Sequence, residues 1–140
     1  PKYVPVFRYA GDIIGCLNNY VDGWIDWNMV LDKQGGPNWF KNWCIAPVIV
    51  DPENNEVYFT PLYYTMAHFS KFMRPGAVKI GCTINHKDLM ATAVKNPDGT
   101  IALVIFNPTE QLKNVSIQLN NLSKNISISS KALQTVIIKS

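Results

Sequence analysis

The sequence predicts an α/β segment over residues 1–75 followed by an antiparallel β-sandwich over residues 76–140. All four Trp, all six Tyr and five of the six Phe lie in the first part. The second part is rich in Val, Ile, Thr, Ser and Asn, and its apolar residues alternate with polar ones. The change in composition falls at Arg74-Pro75-Gly76, which is a turn-forming sequence.

The first part predicts a helix, a strand, a loop and a second helix. Apolar residues at helical spacing predict the first helix from Val6 to Tyr20. The aromatic run GWIDWN over 23–28 predicts a strand, and DKQGGPNW predicts the loop after it. In PLYYTMAHFSKFM, Thr60 is the expected N-cap and Pro61 suits the first helical position. Because one strand has no sheet to join, this part is not self-sufficient.

The second part predicts a series of short strands. Apolar residues alternate from Val78 to Ile84 and again from Val115 to Leu119. Asn96-Pro-Asp-Gly99 predicts a hairpin turn between LMATAVK and TIALVIF. The continuous apolar run IALVIF is typical of a strand that is buried on both faces. Strands at this spacing indicate an antiparallel sandwich.

Three tryptophans lie within DGWIDWNMVLDKQGGPNW, which runs from Asp22 to Trp39. An indole stacks on the apolar face of a sugar ring, and neighbouring Asp and Asn side chains pair with the hydroxyls. In an α/β barrel the ligand lies at the carboxyl ends of the strands, which here places Trp27 and Asn28 at the mouth. For any single tryptophan, packing in the core is the alternative.

The segment VDGWIDWNMVLDKQGGPNWFKNW resembles the region around the eighth barrel strand in the glucosylceramidase group of glycoside hydrolase family 30. YAGDIIGCLNNY resembles the preceding helix, and YFTPLYYTMAHFSKFMRPGAVKIG resembles the last barrel helix and its exit into the sandwich. TAVKNPDGTIALVIFNPT resembles the sandwich hairpin. The resemblance implies the C-terminal segment of a (β/α)₈ barrel over residues 1–75, followed by an antiparallel β-sandwich domain over residues 76–140.

The resemblance also implies sugar-binding residues. Trp27 matches the strand-eight tryptophan that lines the sugar subsite, and Asn42 matches an asparagine after the loop that also reaches the sugar. Asp26 and Asn28 match the polar residues beside that tryptophan. Trp24 and Trp39 are then expected to be scaffold for the strand and its loop.

The catalytic residues of that family have no counterpart here, so we expect no catalytic residue in this chain. Members are retaining β-glycosidases that use two glutamates on earlier strands, with carboxyl groups about 5–5.5 Å apart. The chain has only three glutamates, Glu53, Glu56 and Glu110. The first two lie in the polar turn DPENNEVY and the third lies in the sandwich part.

The resemblance therefore implies the C-terminal portion of a glycosidase that hydrolyses β-glucosides such as glucosylceramide. Its expected partners are a β-glucoside or glycolipid substrate and a polypeptide that carries the missing barrel strands. The chain alone is predicted to be inactive. A cleaved half, a split gene product, a degenerate gene product and an excised piece of a longer enzyme all fit the sequence equally. A non-catalytic carbohydrate-binding module and a remnant sandwich are the alternatives.

The composition argues against several other classes of protein. The net charge is +3 with scattered Lys and Arg, so no nucleic acid partner is expected. The apolar runs are too short for a transmembrane segment, and the first residues lack a signal-peptide pattern. Family members are often secreted or lysosomal, but the localisation of this chain stays open. The cysteine and histidine spacing predicts neither a disulfide framework nor a metal site, and no cofactor is implied.

Three triplets fit the acceptor pattern for N-glycosylation: Asn114-Val-Ser, Asn121-Leu-Ser and Asn125-Ile-Ser. In a tail rich in Asn and Ser such triplets also arise by chance, and the sequence alone favours chance.

Overall fold

The computed structural model describes residues 4–139, which form two helices and nine strands. The helices are α1 (Val4–Asn18) and α2 (Pro61–Ser70). The strands are β1 (Val30–Asp32), β2 (Val48–Asp51), β3 (Glu56–Phe59), β4 (Val78–Ile80), β5 (Met90–Lys95), β6 (Ile101–Asn107), β7 (Lys113–Leu119), β8 (Leu122–Ile128) and β9 (Ala132–Ile138).

Two antiparallel sheets form the sandwich that the sequence predicts. One has the strand order β4-β5-β6-β9, and the other is the β7-β8 hairpin. The predicted turn joins β5 to β6, where the Gly99 N–H donates to the carbonyl oxygen of Asn96 at 3.0 Å. Gly99 has φ +86°, a conformation that glycine adopts without strain.

Strand β6 is the centre of the fold, because both of its faces are covered. Val104 and Phe106 pack against helix residues Ala10, Ile14 and Phe69. Leu103 and Ile105 point the other way, into a second cluster that includes Ile128 of the hairpin. The prediction that IALVIF is buried on both faces is confirmed, and its cause is a layer of helices on one side and a two-stranded sheet on the other.

The helices and the sandwich share one core and are also joined by hydrogen bonds. Asn18, at the end of α1, donates from Nδ2 to the carbonyl oxygen of Ala91 at 2.9 Å. The buried Asn96 accepts from the Arg74 backbone N–H and donates to the Phe72 carbonyl oxygen, both at 2.9 Å. The chain therefore packs as one body across the Arg74–Gly76 turn.

Both predicted helices are present, but Thr60 has a different role from the one predicted. Its side chain makes no capping bond to α2, although Pro61 does open the helix. The hydroxyl lies 2.9 Å from the Ala46 carbonyl oxygen and 3.0 Å from that of Pro47. Thr60 thus ties the start of α2 to the chain that enters β2.

The strand prediction for residues 23–28 is wrong. Residues 23–28 are not in a strand, and β1 begins at Val30. A strand is held by hydrogen bonds to a neighbour, and no strand among residues 4–139 pairs with this segment.

The sequence analysis also missed a small sheet of order β1-β2-β3. Its β1–β2 pair is parallel and its β2–β3 pair is antiparallel. The segment DPENNEVY, predicted only as a polar turn, contains the end of β2 and most of β3, and residues 52–55 form the turn between them, with Asn55 at φ +53°. Strand β4 is likewise shorter than predicted, because it ends at Ile80 rather than near Ile84.

Candidate functional site

The aromatic segment 23–29 is anchored to α1 through Trp24. The indole Nε1–H donates to Asp12 Oδ2 at 2.7 Å. The ring also meets Tyr9 edge-on, with centroids 5.2 Å apart, and packs against the helix core. The prediction that Trp24 is scaffold is confirmed by these contacts.

The carboxylate of Asp26 makes the second attachment. Its Oδ1 accepts the hydroxyl of Tyr9 at 2.7 Å and the backbone N–H of Trp27 at 2.8 Å. Its Oδ2 is buried and has no hydrogen-bond partner among the described residues. Burial and the bond to Asp26 both raise the pKa of Tyr9, so its hydroxyl stays protonated and remains a donor.

Alternate residues of the segment face opposite ways. Trp24 and Asp26 turn towards α1, while Ile25 and Trp27 are 93% and 86% exposed. An extended backbone produces this alternation. The structure therefore separates two predicted site residues, because the Trp27 ring lies on the open side and the Asp26 carboxylate lies on the helix side.

The loop after β1 is built on Asp32. Its Oδ1 accepts the backbone N–H groups of Gln34 and Gly36, each at 2.9 Å. The Gly35 carbonyl oxygen then accepts the Cys44 N–H at 3.0 Å, which joins the two ends of the loop. The peptide bond between Gly36 and Pro37 is cis.

The paired glycines of this loop are required by close contacts. Gly35 has φ +92°, and a Cβ there would lie 2.2 Å from the Cys44 carbonyl oxygen. A Cβ on Gly36 would lie 2.9 Å from Cζ3 of Trp43. The loop is held closed by these contacts and by the Asp32 turn.

Trp43, rather than Trp39, is the loop's aromatic anchor. The expectation that Trp39 is scaffold is wrong for the described residues, because its side chain is 96% exposed. Trp43 lies against Gly36, where the absence of a side chain makes room for the indole.

The asparagines of the site differ in their surroundings. Asn42 is exposed, and Asn28 is half-buried. In Asn38, both side-chain polar atoms are buried and have no hydrogen-bond partner within residues 4–139. The structure thus exposes two predicted sugar-binding residues, Trp27 before β1 and Asn42 within the loop.

The three glutamates each lie beside a Lys or Tyr side chain. Glu53 is 3.5 Å from Lys33 Nζ, and Glu110 is 2.5 Å from Lys131. Glu56, on β3, accepts the hydroxyl of Tyr58. These contacts place Glu53 and Glu56 at the β2–β3 hairpin and Glu110 between β6 and β7.

A structural ion pair stabilises the β2–β3 hairpin beside these glutamates. The Asp51 carboxylate is buried, and it accepts from Lys33 Nζ at 2.8 Å and from Asn54 Nδ2 at 2.7 Å. The hydrogen bond from Lys33 holds the pKa of Asp51 below its usual value. The arrangement positions the hairpin and has no feature of an acid–base pair.

Tyr9 and Asp12 are the site residues that the sequence analysis missed. They lie three positions apart in α1, and both side chains face the aromatic segment. The available signal was their spacing, since residues three apart on a predicted helix share one face.

Residues 4–139 contain no group of three His, Cys, Asp or Glu side chains that could hold a metal ion. Neither α1 nor α2 has the length and hydropathy needed to cross a bilayer.

Comparison with protein-family models shows which family the chain belongs to. The glycosyl hydrolase family 30 TIM-barrel domain matches residues 3–73, and the family 30 beta sandwich domain matches residues 76–136. The chain belongs to glycosyl hydrolase family 30. It comprises the C-terminal part of the family's barrel and its β-sandwich, as the resemblance implied.

The similar family 30 proteins are much longer than this chain. The chain is 38% identical over 94% of its length to "Putative glucosylceramidase 4" of Caenorhabditis elegans. It is 36% identical over 74% of its length to the lysosomal acid glucosylceramidase of Mus musculus. These matches span 27% and 20% of the two relatives.

The chain is also similar to part of a longer protein of known structure. The crystal structure of SrfJ from Salmonella typhimurium superposes with a TM-score of 0.94 at 27% identity. The match covers 96% of this chain and 30% of SrfJ. The helices, the aromatic segment and the sandwich therefore have the family 30 arrangement.

Proposed function

We propose that this chain is the C-terminal portion of a retaining β-glycosidase that acts on a β-glucoside such as glucosylceramide. In this proposal the chain contributes Trp27 and Asn42 to the sugar subsite. The two catalytic glutamates and the remaining barrel strands come from a polypeptide segment outside residues 1–140. The substrate class rests on the names of the two glucosylceramidase relatives.

The main support for the proposal is the exposure of Trp27 on a segment whose neighbouring residues are hydrogen-bonded to α1. Its neighbours are bonded to α1, and its own backbone N–H is bonded to Asp26. An 86% exposed indole on a rigid support is a stacking surface that needs little ordering when a sugar binds.

Asp26 has a positioning role in this proposal. Its carboxylate points to α1 and holds the backbone of Trp27, so it acts on the sugar through the orientation of the indole. The half-buried Asn28 lies one residue further along and completes the polar set.

The exposed apolar surface supports the role of a further polypeptide segment. Ile25, Met29, Trp39 and Phe40 are all exposed in the described chain. A cluster of large apolar side chains of this kind marks a surface that another element covers. The barrel match over residues 3–73 supports the other strands of a barrel as the covering element.

The experiment that tests the proposal is the substitution Trp27→Ala in the complete enzyme, with β-glucoside hydrolysis as the readout. We expect kcat/KM to fall by about tenfold to hundredfold, or about 1.4–2.8 kcal/mol, with the unfolding midpoint unchanged. Tyr64→Ala is the matched control, because Tyr64 is also an exposed aromatic residue but lies on α2. Equal kcat/KM in both variants would contradict the subsite role of Trp27.

A further inference from the structure

The β7-β8 hairpin has one apolar and one polar face. Its inward residues, such as Val115, Ile117 and Ile128, pack against the four-stranded sheet. Its outward residues are exposed and uncharged, and every one is Asn, Ser or Gln. They are Asn114, Ser116, Gln118, Ser123, Asn125 and Ser127.

All three N-glycosylation triplets lie on this hairpin. Because side chains two apart in a strand share a face, the Asn and Ser of the Asn114 triplet both point outward. The same holds for the Asn125 triplet. Asn121 lies in the two-residue turn between β7 and β8, directly after Asn120, which has φ +51°.

We propose that this outward face is a site of N-linked glycosylation, with Asn121 as the principal attachment residue. The donor is an oligosaccharide linked to a lipid diphosphate. The Asn121 Nδ2 atom bonds to the anomeric carbon as the bond from that carbon to the diphosphate oxygen breaks. One amide proton is lost and the lipid diphosphate leaves. The proposed modification does not depend on the glycosidase function. It lies on the β7-β8 hairpin and not on the aromatic segment.

The choice of Asn121 follows from access to its amide. Asn121 is exposed at a hairpin tip, where a transferring enzyme reaches the amide without opening a strand pair. Asn114 lies within β7, and its Oδ1 accepts the hydroxyl of Ser127 at 2.7 Å. The serine hydroxyls do not separate the triplets, because the Ser116 and Ser123 hydroxyls are also in contact, at 3.2 Å.

The two strand triplets also compete for space. Asn114 is opposite Ser127 and Asn125 is opposite Ser116, so the two asparagines are diagonal neighbours. Diagonal neighbours on one face of a sheet are about 7–8 Å apart, which is too close for two branched glycans. A second glycan, where present, therefore occupies one of these two positions and not both.

Asn107 provides a negative control for the detection of glycans. Asn107-Pro-Thr109 has the acceptor pattern except for its proline, which excludes it as an acceptor. Asn107 is fully buried, and its amide donates to the carbonyl oxygens of Gln111 and Ser129 at 2.8 and 2.9 Å. A chemical method that reports glycans correctly must leave Asn107 unmarked.

The first test is to release N-glycans enzymatically from the native protein in heavy-oxygen water and to map its peptides by mass spectrometry. Release converts a glycosylated asparagine into labelled aspartate. We expect label at Asn121 and none at Asn107, with an enzyme-free sample as the control for spontaneous deamidation. Unlabelled asparagine at all three triplets would overturn the proposal. Label confined to Asn114 or Asn125 would overturn the assignment to Asn121.

The second test separates glycosylation from a structural role of the turn. In the full protein secreted from eukaryotic cells, Asn121→Gln and Ser123→Ala should remove the same glycan mass, although Ser123→Ala leaves the asparagine in place. Gln118→Ala is the matched control, because Gln118 is on the same face but outside the triplets. An unchanged glycan mass in both triplet variants would overturn the proposal.

Discussion

The hydroxyl of Tyr9 donates a 2.7 Å hydrogen bond to Asp26 Oδ1, and the same oxygen accepts the backbone N–H of Trp27. One carboxylate oxygen thus joins the first helix to the backbone of the proposed stacking residue. Tyr9 is only 7% exposed, so this link lies at the edge of the helix core. The Trp27 backbone is therefore held, through Asp26, by a helix residue that lies 17 positions before Asp26.

Removal of the Tyr9 hydroxyl should loosen the aromatic segment. Tyr9→Phe leaves the ring in the core but takes one donor from an Asp26 carboxylate that already has an unpaired Oδ2. We expect the free energy of unfolding of the complete protein to fall by about 1–3 kcal/mol in a urea titration. Tyr64→Phe is the control, since Tyr64 is exposed, and it should change stability by less than about 0.5 kcal/mol. Equal effects of the two variants would contradict the account.

Alanine substitution of two glycines, one in the loop and one in α1, should change stability in opposite directions. Gly35→Ala places a Cβ against the Cys44 carbonyl oxygen at φ +92°, so the free energy of unfolding should fall by about 1–3 kcal/mol. Gly15→Ala, in α1, meets no atom within 4 Å and should stabilise by about 0.5–1 kcal/mol. Thermal unfolding of both variants checks this pair, and stabilisation by Gly35→Ala would refute the loop geometry.

The contact of α2 with the sandwich should be sensitive to acid through His68. Its Nδ1 lies 2.8 Å from Thr135 Oγ1 on β9, and burial lowers the pKa of His68 below its usual 6.5. The unfolded chain then binds the proton more readily than the folded chain. The stability that neutral His68 contributes is therefore fully present above the pKa that His68 has in the unfolded chain. It is lost progressively as the pH falls from that value to the pKa of His68 in the folded chain.

Substitution of His68 measures this contribution. Asn places a side-chain donor near the position of Nδ1 but does not titrate. We expect the loss of stability between about pH 7.5 and about pH 5.5 to be smaller in His68→Asn than in the wild type. His86→Asn is the control, because His86 is in the turn before β5 and makes no contact with α2 in the described structure. An identical pH dependence in His68→Asn and the wild type would contradict the buried environment of His68.

Elements with strong local signals were predicted well from the sequence. The first helix was expected from Val6 to Tyr20 and is found at Val4–Asn18. The Asn96–Gly99 turn and the doubly buried β6 strand were placed correctly, because a turn dipeptide and a continuous apolar run are properties of short segments. The role of Trp24 as scaffold was also predicted correctly.

Elements that depend on distant partners were not predicted. Residues 23–28 have strand-like composition, but a strand needs a hydrogen-bonded neighbour, and none among residues 4–139 pairs with this segment. The Thr60 hydroxyl found a tertiary acceptor in place of its own helix. Trp39 and Trp43 have the same chemistry, and only the space above Gly36 shows which of them anchors the loop.

The most direct test of the proposed function is to fractionate a native extract by size and to follow two signals. One signal is an antibody against this chain, and the other is hydrolysis of a β-glucoside. The account predicts that both signals elute together at a mass well above 15.8 kDa, because the proposal assigns the catalytic glutamates to a segment outside residues 1–140. Hydrolytic activity that elutes with a free 15.8 kDa chain would contradict it.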